Sequence, residues 1–134
     1  PHESMPDRAI GRVGKYSSTV EKQLTDYIKP QECGGHVGVR WFEISDSPAG
    51  GLAKNARGIR IELDKPRMVT VLPVTSEALA DATHNIYVKR SGTTVVTIDA
   101  IHRGVGTASC GPDTLDQYKI KPGTYKFTWT LLAL

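Results

Sequence analysis

From residue 37 onward, apolar side chains recur at every second position in short runs, and no long helical pattern separates one run from the next. That period is the signature of β-strands, whose successive side chains point to opposite faces. Val37, Val39 and Trp41 alternate; Phe42 and Ile44 then take the opposite phase. Such a switch predicts a bulge, or a strand buried on both faces. Ile59, Ile61 and Leu63 alternate with Arg60, Glu62 and Asp64, a strand with one wet face that Lys65-Pro66 should end. Residues 68–72 read as a short apolar strand stopped by Pro73. Residues 86–89 and 94–101 form two more, joined by a turn at Arg90-Ser91-Gly92, and 115–120 is a weaker candidate. In the last strand Tyr125, Phe127, Trp129 and Leu131 oppose Lys126, Thr128 and Thr130. About seven short strands without βαβ alternation predict a mainly β fold, an antiparallel β-sandwich of jelly-roll or Ig-like type. The segment 75–83 reads as a loop or a single helical turn, because Glu77-Ala78-Leu79-Ala80 favours helix locally.

The first thirty residues follow a different pattern. Pro1, Pro6, Gly11 and Gly14 among alternating charges predict a flexible lead over 1–15, followed by one domain over 16–134. A first residue Pro1 in place of Met marks a processed product or an excised fragment. Ser18-Thr19-Val20-Glu21 has the form of a capping box. Tyr16, Val20, Leu24, Tyr27 and Ile28 follow at helical spacing, and Pro30 prevents continuation. The expectation is an amphipathic helix over 18–29. Its stripe of Val20, Leu24, Tyr27 and Ile28 packs on the domain or docks in a partner's groove.

Cys33 and Cys110 both lie beside glycine, in Cys33-Gly34-Gly35-His36 and Ser109-Cys110-Gly111. An even count of two fits one disulfide, which would add about 4 kcal/mol of stability on the chain-entropy model. A Cys33–Cys110 bridge implies an oxidising compartment. Two free thiols are an alternative, as is a metal set of Cys33, His36, His102 and Cys110. The second half of that set lacks a compact ligand pair, so the bridge is the expected state and no metal or other cofactor is expected.

Charge narrows the partners. Seventeen Lys and Arg against fourteen Asp and Glu give a net +3 with no polybasic block, which argues against nucleic acid. No apolar run is long enough to span a bilayer. Trp41, Arg60, Arg67 and Lys89 are the candidate ligand contacts, since cations on one sheet face beside an aromatic suit an anionic glycan or an acidic protein. Catalytic motifs are missing. None of His2, His36, His84 and His102 accompanies a recognisable nucleophile, Asp113 and Asp116 merely flank a loop, and Gly104-Val105-Gly106 is too short for a phosphate loop.

Ile120-Lys121-Pro122-Gly123-Thr124-Tyr125, leading into the last strand, resembles a device of extracellular β-sandwiches. Residues 58–129 as a whole resemble bacterial pre-peptidase C-terminal domains. The shared order is strands at 59–63, 68–72 and 86–88, a Ser91-Gly92 turn and the Pro-Gly-Thr-Tyr strand. The departure is Asn85-Ile86-Tyr87-Val88 where that family carries an acidic element. The resemblance implies a non-catalytic module. Combined with the bridge, it predicts a secreted, periplasmic or surface protein that binds another protein of a bacterial envelope assembly. A carbohydrate-binding module, or an inhibitor or immunity protein plugging an enzyme with loop 102–114, is the alternative.

Overall fold

A computed structural model of the chain describes residues 11–26, 28, 33–46 and 57–134. These form one antiparallel sheet of four strands: β1 (Gly35–Ser45), β2 (Gly58–Leu72), β3 (Val95–Ile98) and β4 (Trp129–Ala133). One short α-helix among the described residues, α1 (Ser76–Asp81), follows β2. Mainly β and antiparallel are therefore the right class. The lead over 1–15 falls largely outside the described residues; 11–15, which are described, are exposed.

β2 organises the sheet. One of its edges carries β1 along both halves, and the other carries β4 beside its first half and β3 beside its second. β1 is irregular, but ahead of the expected switch: its register shifts between His36 and Val39 and between Val39 and Trp41, and it pairs regularly from Trp41 to Ser45. The expected break at Lys65-Pro66 does not occur, and 59–63 and 68–72 belong to one fifteen-residue strand. Pro66 lies between the two blocks of pairing, where its missing N–H removes no ladder bond.

Cross-strand registry sorts the first half of β2 by chemistry. Ile44, Ile59 and Ala133 form one row across the three strands, Phe42, Ile61 and Leu131 the next, and Leu63 faces Trp129 beyond them. Directly opposed residues share a face, so that face is wholly apolar. The intervening rows place Glu43, Arg60 and Leu132, then Trp41, Glu62 and Thr130, on the other face. There Arg60 bonds Glu43 at 2.9 Å and Glu62 at 2.8 Å.

Two expected strands are 3-10 turns instead. At Asn85–Tyr87 the turn is closed by Tyr87 N–H to His84 O at 3.0 Å, and Ile86 and Tyr87 stay 78% and 60% exposed. Alternation without burial gave that segment no partner strand. Segment 115–120 contains the turn Asp116–Tyr118. The local helix preference at 77–80 prevails in α1, where the Thr75 hydroxyl accepts from Ala78 N–H at 3.1 Å.

The helix over 18–29 is reduced, among the described residues, to one 3-10 turn at Glu21–Gln23. Leu24 leaves helical geometry at ψ 117 and packs with Leu79 and Val88 against the buried cluster of Ile28, Cys33 and Ala82. Leu24 and Ile28 thus serve the chain's own core, Val20 is half-buried, and Tyr27 lies outside the described residues. Core burial of single side chains outweighs a helix whose β-branched Thr19, Val20 and Thr25 favour it little.

The disulfide is absent. Cys33 is buried and free, with its sulfur 3.1 Å from Thr25 Oγ1, and Cys110 is exposed and free. Gly34 explains the glycines beside Cys33. At φ +75 it passes so close to the preceding turn that a Cβ would stand 2.7 Å from Gln23 O.

Candidate functional site

The most constructed feature outside the sheet is the segment from Asp99 to Lys119. Asp99 N–H still donates to Met68 O at 3.0 Å, prolonging the β2–β3 ladder by one bond. One turn later His102 Nδ1 meets Asp99 Oδ2 at 2.8 Å. A carboxylate in that position orients the imidazole and favours a proton on Nδ1. The ring's Nε2 is buried and, among the described residues, has no hydrogen-bond partner.

Beyond His102 the chain closes on itself around Thr114, which is 2% exposed. Its hydroxyl accepts from Arg103 Nε at 2.9 Å and faces the carbonyls of Gly104 and Gly106 at 3.1 and 2.9 Å. Gly106 has φ +120, and a Cβ on it would lie 2.6 Å from Thr114 N, so glycine is required there. Asp113 joins the ring: its Oδ1 accepts from Thr114 N–H at 2.8 Å and from Arg103 Nη2 at 2.5 Å. Lys119 Nζ holds Asp113 and Asp116 together, 2.9 Å from each. Gly104 N–H donates to Tyr118 O at 3.0 Å and seals the base.

Two shallow clefts flank His102. One, about 360 Å³, is lined by His102, Arg103, Gly104, Gly106 and Thr107. The other, about 320 Å³, lies between 65–68, 99–102 and the β1 bulge at Val37 and Gly38. Arg67 anchors this second wall. Its side chain is 2% exposed and donates to both Asp64 oxygens at 2.7 and 2.8 Å, and to Ala100 O at 2.6 Å. Its guanidinium also stacks 4.7 Å over Phe127.

The electrostatics define the chemistry on offer. Arg67's hydrogen bonds hold the Asp64 carboxyl down at about 2, and Lys119 holds Asp113 and Asp116 below their ordinary value. Glu77 is lowered by backbone and Thr75 hydrogen bonds. Each of these groups is a carboxylate at neutral pH, suited to bracing and accepting hydrogen bonds. A general acid needs the opposite shift.

Of the sequence candidates, Trp41 and Arg60 come together, with the guanidinium carbon 4.0 Å from the ring centroid and Lys15 Nζ at 5.5 Å. Arg67 does not join them, being buried at the Asp64–Ala100 joint, and Lys89 is exposed beyond the turn at Asn85–Tyr87. The four residues weighed as a metal set are not gathered. His36 bonds Gln23, His102 bonds Asp99, and no three metal-ligating side chains converge among the described residues. Sequence reading missed the Thr114 ring. Its available signal was Asp99-x-x-His102 followed by Gly104-x-Gly106 and Asp113-Thr114, a spacing that fits a tightly folded loop.

The family model described as beta galactosidase small chain matches residues 1–131. The chain is 28% identical over 123 residues to a beta-galactosidase of Actinobacillus pleuropneumoniae, covering 92% of this chain and 11% of that protein. It is 33% identical over 133 residues to a beta-galactosidase of Kluyveromyces lactis, covering 98% of this chain and 12% of the other. A beta-galactosidase small subunit of Latilactobacillus sakei is 29% identical over 123 residues, with 88% of this chain and 39% of that one covered. The chain therefore spans about a tenth of the first two relatives.

These findings overturn the expected identity. The similarity to pre-peptidase C-terminal domains rested on strands at 59–63, 68–72 and 86–88, a Ser-Gly turn and a Pro-Gly-Thr-Tyr strand; the first two are one strand and the third does not form, whereas the beta-galactosidase match runs through nearly the whole chain. A non-catalytic envelope-binding module, a glycan-binding module and an inhibitor all give way, because these relatives are by name glycosidases or a glycosidase subunit. The expectation that the chain is not an enzyme loses its basis with them. Partners in an envelope assembly, or a free glycan, lose their basis too. A periplasmic, extracellular or surface location loses both supports, the bridge and the envelope module. The chain belongs to the beta-galactosidase small-chain family.

Proposed function

We propose that this chain works as part of a β-galactosidase, either as its small chain or as the corresponding region of a single-chain enzyme. The observation that carries this reading is the family match over residues 1–131. Hydrolysis of a galactoside needs one carboxylic acid to protonate the leaving oxygen and a second carboxylate as nucleophile or base. The lowered carboxyls of Asp64, Glu77, Asp113 and Asp116 do not suit the acid. In this reading the acid comes from the part of the enzyme that this chain does not span. The chain contributes the braced loop around Thr114 and the two clefts beside His102, concave surfaces of the kind that take a small ligand such as a sugar. Its protein partner is then the large subunit or the remaining domains. The four-stranded sheet is one layer of a sandwich, the second layer being built in that assembly.

The test is reconstitution of the enzyme with and without this chain, reading release of nitrophenol from a nitrophenyl β-D-galactoside. Turnover is expected only when the chain is present. Equal turnover in its absence would remove the proposal.

A further inference from the structure

The sheet has two dissimilar faces around β2, and only one is finished. The polar face carries its own counter-charges, Glu43 and Glu62 on Arg60, with Trp41 beneath the guanidinium. The apolar face has a buried centre at Ile61, 6% exposed, but Trp129 and Leu131 on β4 are 49% and 54% exposed, and Ile59 is 36% exposed. Antiparallel sheets are stable with one wet face when that face is polar, and here the apolar face also meets water, at Trp129 and Leu131. Contiguous apolar surface of this kind marks an interaction site rather than a free exterior.

β4 adds an independent observation. All five of its residues, Trp129 to Ala133, are exposed, and none is charged or proline. Its pairing with β2 runs in unbroken register. Monomeric proteins guard a free edge with lysine, proline or a bulge, and β4 has none of these devices.

We infer that the apolar face of β1–β2–β4, centred on Leu131 and Trp129, is the surface on which this chain is held by the rest of its own β-galactosidase. The occupant is an apolar β-layer from the portion of the enzyme that this chain does not match. The source is argued from length. The chain accounts for 39% of the small subunit from Latilactobacillus sakei, so most of such a subunit lies beyond it. Shape agrees: two antiparallel sheets pack face to face about 10 Å apart through inward-pointing rows of this kind. The inference rests on the functional reading above and adds the surface and the chemistry of the contact.

Hydroxyl-radical footprinting of the wild-type protein tests it without any substitution. Oxidation of Trp129 and Leu131 is measured by mass spectrometry in the chain alone, across a range of concentrations, and in the assembled β-galactosidase. Labelling should be fast in the chain alone at every concentration and about fivefold or more slower in the assembly, as for residues at the core of an interface. Equal labelling in both samples overturns the inference. Protection in the chain alone that grows with concentration also overturns it, because a second copy would then be the occupant. Galactosidase activity is read in the same assembled sample. Activity with an unprotected face strikes only the interface; a protected face without activity strikes only the functional reading.

Discussion

Arg67 shows how one side chain can be legible in type and misread in role. As a cation between two predicted strands it resembled a ligand contact, yet its three hydrogen bonds go to Asp64 and Ala100. Breaking a buried ion pair leaves polar groups without partners, so Arg67→Ala should lower unfolding stability by on the order of 3 kcal/mol, measured by urea denaturation. The same joint sets an acid limit. Asp64 titrates at about 2 in the folded chain against an ordinary 3.8. A carboxyl depressed on folding contributes its full stabilisation above the unfolded value and loses it as pH falls through the folded one. Stability should therefore decline between pH 3.8 and 2, and Asp64→Asn should flatten that decline; an unchanged slope in the variant counts against the assignment. Thr114 is the other residue on which much converges. Thr114→Val keeps the shape but strips a hydroxyl bonded to Arg103 and facing two carbonyls, at a cost of roughly 2 kcal/mol. In the assembled enzyme the same variant should raise KM for galactoside more than it lowers kcat, because the loop it braces is proposed to bind rather than to transfer protons.

At the scale of elements, the sequence was readable wherever its local pattern and its burial agreed. The break in alternation fell beside the irregular register of β1, which ends at Trp41, and the helix preference of 77–80, read as a loop or a single turn, became α1. Reading failed where a local signal was overridden from a distance. Lys65-Pro66 looked like a stop, but the proline falls between two pairing blocks. Ser18 to Glu21 looked like a helix start, but Leu24 is drawn into the cluster around Cys33. The loop around Thr114 was illegible for a different reason. Its ring closes through backbone carbonyls and a glycine at positive φ, and no periodicity records either. Gly106→Ala therefore tests the element as a whole. The added methyl meets Thr114 N at 2.6 Å, so the loop must open. Amide exchange should speed up across 102–119 and leave β2 unchanged.

For the whole molecule, the two cysteines matter most for handling and stability. With both thiols free, reductant should leave the melting temperature unchanged, and a thiol reagent should modify exposed Cys110 well before buried Cys33. A shift of melting temperature on reduction would restore the bridge. The long central strand has a larger consequence. β2 alone joins β1 to both β3 and β4, which do not pair with each other. Its two halves therefore act like boards nailed to one batten: neither partner strand can detach and let the other half slide. The slowest-exchanging amides of the chain should be those of β2, released together in a single opening event. A lesion at its midpoint, near Asp64 and Arg67, should split that event into two and turn one cooperative unit into a pair.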